Sequence, residues 1–246
     1  MKPLIALALL GILSSGTAVE AASLPTISFG VTEAETPQQV ASALQVLLIL
    51  TILSVAPAIL LMTTCFTRIV IVLGFVRQAM GTQNMPPTQV IIGLSLFLSF
   101  FIMSPTFSRI NSEALQPYMN EEITQIEALD RAVVPMREFM FSQVRESELA
   151  LLTEISMAEE PASEEDIPLS TLIPAFMLSE LKRAFQMGFM IYVPFLVIDM
   201  IVASILMSMG MMMLPPVIIS LPFKLLLFVL VDGWSLVVGS LVKSFG

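Results

Sequence analysis

A nearly charge-free run, a burst of thioethers and a double proline follow one another in "PFLVIDMIVASILMSMGMMMLPP", residues 194–216. Five of the chain's 18 methionines fall in the seven positions 207–213. Pro215 and Pro216 stop any helix arriving from the N-terminal side, because proline lacks an amide hydrogen and its ring clashes with the preceding turn. Apolar residues resume at Val217 and continue to about Val238. The expectation is a helical hairpin over 189–246, its two apolar runs joined by a methionine loop, 207–214, and turned by Gly210, Pro215 and Pro216.

The surrounding chain has the composition of a membrane protein. Of its 246 residues 56% are hydrophobic and 13% charged, with a mean hydropathy of +0.90; soluble domains carry about 25% charged residues. Several runs approach the roughly 20 apolar residues that cross a bilayer. The net charge of −9 is concentrated between Thr106 and Phe185, where 15 acidic residues face six basic ones, so the apolar remainder is neutral. With no basic stripe, nucleic acid is not a partner class to expect. Histidine is absent and Cys65 is the one cysteine, which removes the commonest general base, a disulfide within the chain and thiolate metal sites. No cofactor is expected.

The chain divides by composition. Residues 1–21, one lysine followed by a short apolar core and small residues, read as a secretory signal peptide cleaved after Ala21. A polar segment, 22–42, follows. Residues 43–105 read as a first apolar helical pair, with a kink or split at Pro57, Ser and Gly93 allowing close packing on the second run, and a stop at Pro105. Residues 106–188 form an acidic helical insertion. There Ile126, Leu129, Val133, Met136, Met140 and Val144 recur at three- and four-residue steps, giving one face of an amphipathic helix that Pro135 should kink or divide into two shorter helices. "AEEPASEEDIP", 158–168, is an acidic, flexible loop with nothing to form a core, and Ser170 is a candidate N-cap for the helix after it. The fold class is all-α: membrane-associated helical hairpins with a kinked amphipathic insertion.

Two charges interrupt the hairpin. Asp199 and Lys224 each cost about 2.5–3.5 kcal/mol at the centre of a membrane helix. With the apex at Met211–Met212, they stand 12 or 13 residues on either side. An antiparallel hairpin brings both to one depth, where an ion pair offsets their desolvation. The alternatives are that both face a water-filled cavity, that the runs do not lie in lipid, or that the pair forms between subunits.

Catalysis finds no support. Asp199 and Asp232 lack the glycine-flanked setting of intramembrane aspartyl proteases, "DGWSLVVG" lacks the glycine of a nucleophile elbow after Ser235, and no phosphate loop with lysine occurs. A secondary transporter or ion channel shares apolar runs, a charge pair and broken helices, but needs a substrate-sized polar site and usually paired repeats. A structural scaffold that nucleates other membrane subunits is a further alternative.

Longer motifs carry a resemblance. "PAFMLSELKRAFQMGF" (174–189) and the stretch 194–216 resemble the two signature segments of the FliP family of bacterial flagellar export-gate proteins, which includes the equivalent subunits of type III secretion injectisomes. "RIVIVLGFVRQAMGTQNMPP" (68–87), "REFMFSQVRESELALL" (137–152) and "LVDGW" (230–234) match as well, so the likeness runs from about Ala43 to the end. The signal peptide favours the flagellar branch. The resemblance implies a homo-oligomeric ring, by likeness a pentamer, stacked with the partners FliQ and FliR into a helical pore at the flagellar basal body in the bacterial inner membrane. It also implies that unfolded flagellar proteins pass through this pore, driven by a separate ATPase and the proton motive force. Family members hold their apolar helices in a cone raised largely above the bilayer, so a simple four-span topology does not follow.

By the same resemblance, Met209, Met211, Met212 and Met213 would close the channel as a gasket. Methionine suits a seal, being unbranched with three rotatable bonds and adaptable packing. The plainer alternative is that these side chains fill core space beside a turn.

Overall fold

The computed structural model describes residues 37–82, 85–156, 163, 166–211 and 213–246, with side chains from residue 44 onward. The expected signal peptide, most of the polar segment and most of the acidic loop lie outside these residues, as does Met212. Two compact units divide the chain, Met1–Ile49 and Leu50–Gly246. The described part of the first is the start of helix α1, Pro37–Met62; the remaining helices lie in the second.

Helix α1 begins within the segment read as polar and passes through Pro57 without ending. Its break comes at Thr63–Cys65, where the Thr63 hydroxyl donates to the Ile59 carbonyl at 3.0 Å. Such local bonds offer the backbone an alternative to the helix ladder. Residues 43–105 therefore hold three helices rather than a pair: the end of α1, then α2 (Phe66–Met80) and α3 (Thr88–Ile110).

The core is built on α2. Ile69, Val72, Leu73, Val76, Ala79 and Met80 are buried at three- and four-residue steps, the stripe an amphipathic helix turns inward. Against it α3 sets Ile91, Ser95, Ser99 and Met103, all buried and four residues apart. The Ser95 and Ser99 hydroxyls donate to the Ile91 and Ser95 carbonyls at 2.7 and 2.6 Å, so these polar groups enter the core satisfied. Gly93 has no part in this packing, since a β-carbon there would meet nothing within 4 Å. Nor does α3 stop at Pro105; it continues to Ile110, widens into a π-helical turn, Asn111–Leu115, and closes in a short α4, Gln116–Met119.

Helix α5, Gln125–Gln143, starts at an N-cap: the Thr124 hydroxyl accepts from the Glu127 amide at 3.3 Å. Pro135 is buried inside it and does not divide it. Its apolar face is only half used, for Met140 is buried while Ile126 and Leu129 are exposed. Leu129 instead lines an open groove of about 320 Å³ with Ile110, Leu115 and Tyr118. The next helix, α6, spans Glu146–Ile155.

The boundary expected at 188/189 falls inside a single 40-residue helix, α7, Leu169–Ser208. Its N-cap is Pro168 rather than Ser170. Gly188 lies at the contact with α2, where the Phe75 ring packs so closely that a β-carbon would meet Cδ2 at 2.4 Å. The last apolar run is broken as well. Helix α8, Pro216–Leu230, and α9, Gly233–Lys243, are bent by 63° across Val231–Asp232. Asp232 there takes a left-handed conformation, φ 50°, and the Phe228 ring fills the space a Gly233 side chain would need.

Candidate functional site

The methionine loop is a helix end followed by a helix start. After α7 stops at Ser208, Gly210 adopts φ 74° and its amide donates to the Met207 carbonyl at 3.1 Å. The Met211 amide reaches back to the Leu206 carbonyl at 3.0 Å. These two bonds form a Schellman motif, which satisfies the last carbonyls of α7 and turns the chain. Pro215 stands in extended conformation as the N-cap of α8, and Pro216 occupies its first position, where a missing amide hydrogen costs nothing. With backbone bonds closed at the helix end, the side chains are left outward: Met209 and Met211 are exposed, and Met213 is 98% exposed.

Below the loop, Lys224 Nζ on α8 donates to Asp199 Oδ2 on α7 at 2.6 Å, and the Ser220 hydroxyl donates to Asp199 Oδ1. Lys224 is buried, and its ammonium also stands beside Gly81, 3.7 Å from where a β-carbon would lie. Gly81 is the left-handed C-cap of α2, so the cation sits at the negative end of that helix. The carboxylate and a helix terminus thus share the work of holding the buried ammonium, and the Ser220 hydroxyl holds the carboxylate in turn. On the neighbouring face Ile198, Ile201, Val202, Ile205, Leu206, Ile219 and Phe223 line a purely apolar groove of about 370 Å³.

A second polar centre escaped the sequence reading. Arg68 on α2 is fully buried and donates through Nε to Glu180 Oε2 at 2.9 Å, and through Nη2 to Glu180 Oε1. Its Nη1 reaches the Ser244 carbonyl and hydroxyl, both at 2.9 Å, while Nη2 also meets Gln143 Oε1 at 3.0 Å. The guanidinium lies 3.7 Å from the centre of the Phe245 ring. Arg183 Nη1 shares the same Gln143 oxygen at 2.9 Å. Helices α2, α5 and α7 and the residues after α9 are therefore pinned to one cation. An arginine inside the run "FTRIVIVLGF" was the available signal, but it names no partner.

Nearby, Lys182 Nζ donates to Glu148 at 2.8 Å, and the Ser147 hydroxyl adds a second bond at 2.6 Å. Together these hold the Glu148 carboxyl well below its usual range, at about 2. Cys65 is buried, which pushes its thiol up to about 11. Among the described residues no group of His, Cys, Asp and Glu is arranged to hold a metal ion.

Three described helical stretches, Leu44–Met62, Thr88–Met119 and Leu169–Ser208, are long and apolar enough to cross a membrane, and the bent pair α8–α9 makes a fourth if it counts as one span. Long apolar helices pinned by buried charge networks define an all-helical membrane protein. Comparison with known proteins narrows the class. The FliP family profile matches residues 49–241. The chain is 62% identical to the flagellar biosynthetic protein FliP of Bacillus subtilis over 85% of this chain and 95% of that protein. It is 53% identical to the FliP of Pectobacterium carotovorum over 82% and 79%, and 48% identical to that of Treponema denticola over 92% and 84%. The chain belongs to the FliP family. It is a membrane component of the flagellar export apparatus at the basal body, with a role in transport rather than catalysis.

Proposed function

We propose that the chain is a pore-forming core subunit of the flagellar type III export gate, conducting unfolded flagellar proteins. On this reading it forms a homo-oligomeric ring, a pentamer, together with FliQ and FliR. Met209, Met211, Met212 and Met213 close the channel, Gly210, Pro215 and Pro216 shape the turn that carries them, and the Asp199–Lys224 pair braces the hairpin beneath. The observation that supports it best is the exposure of Met209, Met211 and Met213 on a turn whose helix end is already satisfied. Gap-filling methionines would be buried, and these are not. A transported solute would need a polar site at the hairpin, whereas the groove beside Asp199 is apolar.

Replacing Met211, Met212 and Met213 together by alanine tests the gasket. The turn residues remain, so the complex should assemble while its resting channel leaks ions, read as current across a planar bilayer. A triple variant that assembles and stays sealed would overturn the gasket. Failed assembly without leak would mark the methionines as packing residues.

A further inference from the structure

We infer that the groove between α5 and the π-helical turn is a docking site for an amphipathic helix of a partner protein, apolar along one stripe and edged with lysine or arginine. The site lies in the acidic insertion and does not involve the methionine loop.

Local structure makes the groove. The turn Asn111–Leu115 is π-helical, a widened geometry that recurs at functional sites. Helix α5 runs back beside it, tied to the end of α3 by the Arg109–Glu138 ion pair. Ala114, Ala128 and Ala132 are buried or half-buried and too small to fill the space between the two elements, an open groove of about 320 Å³. Leu115, Tyr118 and Leu129 line the same groove and are exposed. On α5 the lining runs from Gln125 to Ala132. At about 1.5 Å of rise per residue, about two turns of a second helix fit alongside. A helix laid into such a groove anchors through apolar side chains repeated every three or four residues.

The charges around the groove choose among occupants. Six carboxylates and three guanidiniums fall within residues 109–138. Arg109 is paired with Glu113 and Glu138, and Arg131 with Glu127. Glu121 and Glu122 lie in the turn between the two walls, and Asp130 follows Leu129. All three are exposed and form no ion pair among the described residues. Lipid is a poor cover here. Helix α5 carries five charges and is not among the stretches apolar enough to cross a membrane, and anionic headgroups repel an acidic rim. A second copy offering this same face would set carboxylate against carboxylate. A helix with basic edges meets the free carboxylates while its apolar stripe covers the leucines and the tyrosine.

The test uses the full chain in cells that assemble it, with Tyr118 or Leu129 replaced in turn by the photoreactive amino acid p-benzoylphenylalanine. Both positions are exposed, so neither replacement disturbs the core. Irradiation should yield an adduct, and peptide mapping should place the cross-link in another protein, on a segment with apolar residues at helical spacing and lysine or arginine beside them. Adding Glu122→Gln and Asp130→Asn should lower the adduct yield per subunit roughly fivefold, the factor expected for two exposed ion pairs. Ala132→Leu, which fills the groove and leaves every charge in place, should lower it as well. An adduct confined to lipid or to another copy of this chain overturns the inference, and so does an adduct to a segment without basic edges. Absence of an adduct at both positions overturns it too, as does a yield per subunit that neither the charge variant nor the filled groove reduces.

Discussion

Arg68 and Glu180, 112 positions apart in the chain, meet in a two-point ion pair with both side chains fully buried. Two charges withdrawn from water are stable only when their remaining hydrogen-bonding capacity is met. Here Gln143 and Ser244 meet it for the arginine. The pair joins α2 to α7, and α7 also carries the hairpin and its loop, so the hub and the candidate gate are mechanically continuous.

Removing one partner should be worse than removing both. Glu180→Ala or Arg68→Ala should each destabilise the purified protein by about 3–5 kcal/mol, because each leaves an uncompensated buried charge. The double change Arg68→Met with Glu180→Leu should cost clearly less than the two single losses combined. Denaturant unfolding in detergent checks this, and fully additive losses would contradict the coupling.

The hairpin pair should behave similarly but more mildly, since Asp199 keeps 23% side-chain exposure and Lys224 only 3%. Asp199→Ala strands a buried ammonium, whereas Lys224→Ala leaves a carboxylate that water can reach. The lysine variant should therefore retain more swimming motility than the aspartate variant, and the double variant should lose less than the sum. Motility in soft agar measures it; independent, additive defects would show that the contact has no functional weight.

Glu148 makes a pH prediction with a definite sign. Its folded-state carboxyl lies at about 2, below the reference value of 4.5, chiefly through the Lys182 bond. A depressed carboxylate contributes stability above its unfolded pKa and loses that contribution as pH falls through the folded one. The stability lead of the native protein over Glu148→Gln should thus be complete above about pH 5 and shrink toward pH 2. A lead that stays constant, or grows on acidification, would refute the assignment.

How much of this was legible beforehand depends on the range of each interaction. The hairpin turn was, because Gly210, Pro215 and Pro216 act on their own backbone within one helical turn. Helix boundaries set by hydropathy were not: the change of character near 188/189 leaves α7 unbroken, since a helix ends where its backbone bonds or caps fail. Pro105 misled in the same way, for α3 continues through it, and Pro57 and Pro135 do not split their helices either. The Arg68 hub was out of reach for a different reason. Its acceptors on Gln143, Glu180 and Ser244 are 75, 112 and 176 positions away, and only the packing of α2 against α5, α7 and the end of the chain makes them neighbours.

The α2–α7 crossing itself can be tested at Gly188. In an exposed helix interior, alanine for glycine gains about 1 kcal/mol. Here the added β-carbon would lie 2.4 Å from Phe75 Cδ2 and 2.6 Å from Cγ, distances no side chain tolerates without movement. Moving the ring would also disturb its edge-on contact with Phe185, whose centroid lies 5.5 Å away. Overpacking of this kind costs about 1–3 kcal/mol, so the loss should exceed the helical gain and Gly188→Ala should lower the unfolding midpoint. Phe75→Ala alone should also destabilise, through the cavity it leaves. Combining the two should recover part of the glycine defect, because the ring atoms are gone. Recovery should be incomplete, since the β-carbon of residue 75 still lies 3.0 Å from the new one. Unfolding midpoints of the four proteins in one detergent decide the matter, and a neutral or stabilising Gly188→Ala would show that the two helices can separate at this crossing without cost.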